Sequence, residues 1–152
     1  MPDSSSKRST TGRSTDSMYI AETQTRVRYA ETDQMGYAYY GNYATYYEVG
    51  RVEALRQLGF NYKELEAEGV MMPVTELHCR FIQPAKYDEL LTIRVIIKEL
   101  PKVRMHFSYE VLNELGLKIN EGETILVFIN MSTNRPCRAP EHLLQILKPH
   151  FE

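Results

Sequence analysis

The sequence predicts an α+β fold, one long helix packed against a curved antiparallel sheet of about five strands. Two observations carry this. Residues 41–58 follow helical spacing with aromatic and apolar side chains almost all round, and four later segments alternate apolar and polar residues with a period of two. The elements are segregated, a strand and a helix first and then a run of strands, which is the pattern of an α+β domain rather than of repeated βαβ units.

Taken in order, "ETQTRVRYA" sets Thr23, Thr25, Val27 and Tyr29 against Gln24, Arg26 and Arg28, a first strand in a chain whose order begins near Tyr19. "ETDQMG" breaks it, with Asp33 and Gly36 as turn residues. The helix follows, with Asn42 as N-cap and Gly59 as its C-terminal stop. A helix apolar on every side is expected to be buried. "NYKELEAEGV" adds a short helix ended by Gly69. The four strand segments then place Thr75, Leu77, Cys79 and Phe81 on one face; Leu91, Ile93, Val95 and Ile97 on the next; then Val103, Met105, Phe107, Tyr109 and Val111; then Ile125, Val127, Ile129 and Met131. "PAKYDE", "ELPK" and "NELGLKINEGE" read as the turns between them, and "APEHLLQILK" as a closing helix.

The chain has 152 residues, 43% hydrophobic and 25% charged, which fits a single domain over 19–152. Residues 1–18 are Ser/Thr-rich and are expected to be a disordered extension, native or a cloning remnant. The formal net charge of -2 argues against nucleic acid as a partner. Cys79 and Cys137 form no CxxC pair and the histidines do not cluster with them, so no zinc site is expected, and reduced thiols fit a cytoplasmic protein. No run of 18 apolar residues is present, so no membrane span is expected.

Chemistry concentrates in "RYAETDQMGYAYYGNYATYYEVGR", residues 28–51. Asp33 lies in the link between strand and helix. It is either a turn aspartate bonding its own backbone or a carboxylate aimed at an electrophile. Glu31, two residues earlier, reads as a solvated charge at the strand end. The backbone N–H groups near Tyr39 to Asn42 open a helical turn and lack intrahelical acceptors, which suits an oxygen gaining negative charge; Asn42 and water are the alternative partners. Gly36 and Gly41 allow close approach to the backbone. Tyr37, Tyr39, Tyr40, Tyr43, Tyr46 and Tyr47 form one aromatic group, most of it core and some of it able to line an apolar acyl pocket. Glu48 and Arg51 are spaced as a helix ion pair. Lys102 and Arg104 flank a hairpin and can hold phosphate or serve solubility. His78 and Cys79 are neighbours on a strand and point to opposite faces, so they make no nucleophile–base pair.

The ordered run Asp33, Gly36, Tyr39, Tyr40, Asn42, Tyr43, Glu48 and Arg51, followed downstream by "HCRFIQPAKYDELLTIRV", resembles the hotdog-fold acyl-CoA thioesterases. The branch is that of the 4-hydroxybenzoyl-CoA thioesterases and the short acyl-CoA thioesterases associated with the Tol-Pal system. The likeness covers about residues 20–147. It implies a homodimer joined edge to edge, or a tetramer of such dimers, acting on an acyl-CoA without metal or organic cofactor. It implies Asp33 as nucleophile or general base and the Tyr40 N–H as the donor that polarises the thioester carbonyl, with Gly36 shaping the turn. Tyr39, Asn42, Tyr43, Glu48, Lys102 and Arg104 are the expected substrate-binding residues. Many members carry histidine where this chain has Tyr40, which removes any imidazole role. The rival readings are a hotdog dehydratase or hydratase, which pairs its acid with a histidine, and a non-catalytic acyl-CoA-binding protein. His78, His106, His142 and His150 are all far in sequence from Asp33.

Overall fold

The computed structural model describes residues 18–152, so the extension expected over 1–18 lies, but for its last residue, outside the described residues. Strand β1 spans Tyr19–Arg26 and buries Tyr19 and Ala21, with Val27 buried just past its end. Tyr29 does not continue that face. The chain turns through a 3-10 segment, Tyr29–Glu31, and Tyr29 is exposed.

A second 3-10 turn, Tyr40–Asn42, leads into α1, Tyr43–Gln57. α1 buries Tyr43, Tyr46, Tyr47, Gly50, Ala54 and Leu55, one face at helical spacing. The expectation of a helix buried on every side is corrected, because the sheet covers one side only and Ala44, Thr45, Glu48 and Val49 are exposed. Gly59 ends the helix as expected, at φ +88° with its N–H on the Arg56 carbonyl. The short helix α2, Tyr62–Ala67, starts at Asn61, whose side chain accepts from the Glu64 N–H in a capping box.

The main sheet has five antiparallel strands in the order β1-β4-β5-β6-β3. These are β3 (Val74–Phe81), β4 (Leu90–Ile97), β5 (Arg104–Leu112) and β6 (Lys118–Val127). A small second sheet joins β2 (Val70–Met71), β7 (Ile129–Asn130) and β8 (Arg135–Pro136). The chain closes with α3, Glu141–Leu147. Alternation in β4 and β5 is as expected: Leu91, Ile93, Val95, Ile97, Met105, Phe107, Tyr109 and Val111 are all buried. Val103 precedes β5 and is exposed.

β6 departs from expectation twice. It begins at Lys118, so only the first part of "NELGLKINEGE" is a turn. Its core face carries Asn120, Thr124 and Leu126 and runs on to Phe128, while Ile125, Val127 and Ile129 are half-buried and Met131 is exposed. The run "ILVFI" is apolar at both parities, so alternation alone does not choose the face. An irregularity in the β5–β6 register at Val111/Leu112 sets the phase instead.

α1 comes close to the sheet at Gly50. A Cβ there would lie 2.7 Å from an Ile93 methyl and 2.9 Å from a Val95 methyl. Gly50→Leu is therefore expected to cost about 3 kcal/mol by overpacking, read as a lower Tm. An unchanged Tm would mean that the contact gives way freely.

The polar face of the sheet carries a transverse row in strand register: Glu22, Arg94, Glu110, Glu121 and Arg80. Arg94 bridges Glu22 at 2.8 Å and Glu110 at 2.9 Å, and Arg80 bridges Glu121 at 2.9 Å. Lys118 lies 2.8 Å from Glu121 and 3.7 Å from Glu110, between the two adjacent acids.

At the sheet edge, β3 has Val74, Leu77 and Phe81 exposed, with Ile82 just beyond it.

Candidate active site

Residues 31–39 form a tight hairpin. The Glu31 carbonyl accepts from the Tyr39 N–H at 2.8 Å, Thr32 and Ala38 pair across it, and the Asp33 N–H donates to the Tyr37 carbonyl at 2.8 Å. Asp33 sits near its tip, and its Oδ1 accepts from the N–H groups of Met35 at 2.9 Å and Tyr37 at 3.2 Å. The turn role of Asp33 is thus present, and both bonds fall on one oxygen. Gly36 holds φ +80° with open space around its α-carbon, so its conformation, not crowding, calls for glycine. The hairpin docks on the segment after β3 through Ala38 N–H to the Ala85 carbonyl, 2.7 Å, and a bridge between Tyr37 and Lys86.

This docking forms an open pocket of about 340 Å³. Asp33, Met35, Tyr37, Ala38 and Tyr40 line it from the hairpin side, Tyr43 from α1, and Phe81, Ile82, Gln83 and Pro84 from the end of β3 and the loop after it. Phe81 meets Tyr43 edge to face at 5.2 Å and Tyr40 at 6.3 Å. Burial pushes the Tyr43 phenol up to about 12, so that ring stays neutral. Farther along α1, outside this pocket, the Tyr47 hydroxyl bonds Asn120, and Asn120 Nδ2 lies 3.3 Å from the Cys79 sulfur.

Tyr40 opens the 3-10 turn into α1, and among the described residues its N–H has no protein acceptor. Asn42 does not cap the helix. Its Nδ2 reaches back to the Glu31 carbonyl at 2.7 Å. The space beside Gly41 is taken by the Tyr39 ring, 2.6 Å from where a Cβ would stand, rather than left for a ligand.

Glu31 is not a solvated charge. It is buried, and its carboxylate accepts from the Tyr46 hydroxyl at 2.9 Å, the Arg28 N–H at 3.1 Å and Arg28 Nε at 2.7 Å. Burial pushes its acidity toward the neutral form, but the Arg28 and Tyr46 hydrogen bonds outweigh this and hold the carboxyl below its ordinary value.

The remaining expected binding residues are elsewhere in the single chain. Glu48 is exposed and lines a separate pocket of about 230 Å³ with Thr45, Arg51, Val74 and Leu77. It makes no ion pair with Arg51 among the described residues; Arg51 turns toward the phenols of Tyr109 and Tyr62. Lys102 and Arg104 line a cleft at the β4–β5 hairpin. Arg104 pairs with Val127, next to the Val74 end of the sheet, whereas Asp33 faces the Phe81 end, about 25 Å along β3.

Two contributions escaped the sequence reading. The wall from Phe81 to Pro84 has no local signal, because it meets the hairpin only through tertiary packing. The Glu31–Tyr46 bond does have a faint one, an acid two residues before Asp33 and a tyrosine on the buried face of the helix.

A family model described as the thioesterase-like superfamily matches residues 27–147. The chain belongs to the thioesterase-like superfamily. Among its relatives, Bacillus subtilis (strain 168) YneP is 34% identical over 99 residues, covering 65% of this chain and 72% of that one. Acyl-CoA thioester hydrolase YbgC of Escherichia coli O157:H7 is 28% identical over 123 residues, covering 81% and 92%. Among solved structures, the DHNA-CoA thioesterase from Staphylococcus aureus superposes with a TM-score of 0.75 at 36% identity, covering 78% of this chain and 80% of that one. The superfamily match begins at Val27 and so takes in the whole hairpin, α1 and the pocket wall. The fold agrees with the hotdog expectation: one long helix on one antiparallel sheet of five strands.

Proposed function

We propose that the chain hydrolyses the thioester of an acyl-CoA to the free acid and CoA, and that the Asp33 pocket is where it does so. The observation that carries this reading is the meeting, in one pocket walled in part by aromatic rings, of a hairpin-held carboxylate with the residue whose free N–H opens the turn into α1. Membership of the superfamily and the activities named for YbgC and the Staphylococcus aureus enzyme support it.

In this mechanism the acyl group packs on Tyr40, Tyr43 and Phe81. The thioester oxygen accepts the Tyr40 N–H, where the partial positive charge at the start of α1 adds to the pull on the carbonyl. Asp33 either attacks the carbonyl carbon, giving an anhydride that water opens, or takes a proton from a water that attacks instead. CoA leaves as the thiolate. Nucleophile or base and oxyanion donor all come from the chain, so the reaction needs no metal or organic cofactor. A hydratase would pair the acid with a histidine, and none of the pocket-lining residues is one.

The exposed apolar edge of β3 supports a homodimer in which two copies pair antiparallel, and the free thiols of Cys79 and Cys137 fit the cytoplasm. No helix among the described residues is long and apolar enough to cross a membrane. Antiparallel pairing puts the Val74 end of one copy beside the Phe81 end of the other. The Glu48 face of α1, with Lys102 and Arg104, then serves the site of the opposite copy, where the two cations meet CoA phosphates.

The test is free-thiol release from acetyl-, hexanoyl-, palmitoyl-, benzoyl- and 4-hydroxybenzoyl-CoA. Hydrolysis of any one of them is the expected result, and the profile defines the pocket. Folded protein that binds CoA and releases no thiol from any of them would favour a non-catalytic binding protein.

A further inference from the structure

We propose that Glu31 is a positioning residue for the reaction: it fastens the Asp33 hairpin to α1 and so fixes where the carboxylate stands relative to the Tyr40 N–H. The inference rests on the thioesterase reading of the pocket.

The geometry is that of a junction. The Glu31 carbonyl holds both the Tyr39 N–H, at 2.8 Å, and Asn42 Nδ2, at 2.7 Å. These bonds close the hairpin and seat the turn that carries Tyr40. Its side chain points the load elsewhere, onto the Tyr46 hydroxyl at 2.9 Å and onto Arg28. Tyr46 is 1% exposed, in the body of α1 one turn from the pocket-lining Tyr43. One residue thus ties together the strand exit at Arg28, the hairpin, the entry turn of α1 and its buried face. Asp33 follows it by two residues, and Tyr40 directly follows the residue bonded to its carbonyl.

The chemistry gives this tie a purpose. Asp33 and the Tyr40 N–H must address the carbon and the oxygen of the same carbonyl group, and a displacement of about 1 Å can cost about a hundredfold in rate. A buried carboxylate is an expensive way to fasten a loop, tolerated only where its lone pairs are used. Here Arg28 and Tyr46 use both oxygens, and they keep the group charged and accepting.

Glu31→Gln leaves an acceptor for Tyr46 and removes the ion pair; Tyr46→Phe removes the fastening without changing charge. Each is expected to lower kcat about 10- to 100-fold with KM within about twofold, while still unfolding cooperatively. Lower Tm with kcat within twofold of the parent, or a raised KM with kcat unchanged, would overturn the proposal. Should Glu31→Gln not fold, Tyr46→Phe decides by the same criteria. Asp33→Asn in the same assay separates the two levels. If it is inactive while the Glu31 and Tyr46 variants turn over normally, only the positioning role fails. If it turns over normally, the site reading fails and this proposal with it.

Discussion

Asp33→Asn should fold, keep its affinity for CoA, and lose about a thousandfold in kcat. The substitution retains an oxygen that can accept the Met35 and Tyr37 N–H groups, so the hairpin keeps its turn. What disappears is the negative oxygen, without which neither attack on the thioester carbon nor proton removal from water is available. General acid–base groups contribute about 10² to 10⁴ in rate, and a lost nucleophile costs at least as much. Binding through the phosphates and the aromatic wall does not involve the carboxylate, so KM should move little. Thiol release measured beside a thermal melt checks this. Activity within tenfold of the parent, at an unchanged Tm, would take Asp33 out of the reaction.

The second large effect is expected at the sheet edge. Leu77→Asp should turn the proposed dimer into a monomer and abolish turnover together. Leu77 lies midway along β3, 47% exposed in the single chain, and faces the pocket that holds Glu48 and Arg51. Around a two-fold axis, a change near the middle of an edge strand is met twice. An unpaired carboxylate placed there must be desolvated in both copies, at a cost of several kcal/mol. The monomer keeps its own core, because none of the buried hydrophobic residues lies on β3. Light scattering and thiol release on the same samples read the two effects. A wild type that is already monomeric and fully active would remove the dimer from the mechanism.

How far the sequence revealed this arrangement depends on the range of the interaction concerned. Strands β4 and β5 were legible because each alternates cleanly and one face is wholly buried. The end of α1 was legible because Gly59 takes a conformation that few other residues tolerate. β6 was misphased because "ILVFI" offers apolar side chains to both faces, and only a neighbour's register decides between them. Asp33 was legible as a turn former, since its side chain bonds the backbone two and four residues on. Glu31 was misread because nothing local distinguishes a solvated glutamate from one that meets a tyrosine fifteen residues on. Asn42 was assigned a cap it does not make, since its side chain found a stronger claim in the Glu31 carbonyl. The far pocket wall, some forty residues from the hairpin, was beyond any periodicity argument.

The row of charges across the polar face bears on how the sheet finds its alignment during folding. Hydrophobic alternation rejects a slip of one residue, because that turns every core side chain outward, but it is nearly blind to a slip of two. The ion pairs are not. Moving β4 by two residues against β5 would set Arg94 opposite Ser108 or Leu112 instead of Glu110, and the same shift against β1 would trade Glu22 for Ile20 or Gln24. Each exposed pair is worth at most about 1 kcal/mol in the finished structure. Their value is comparative: they act as a vernier, separating the native pairing from near-copies that bury the same residues.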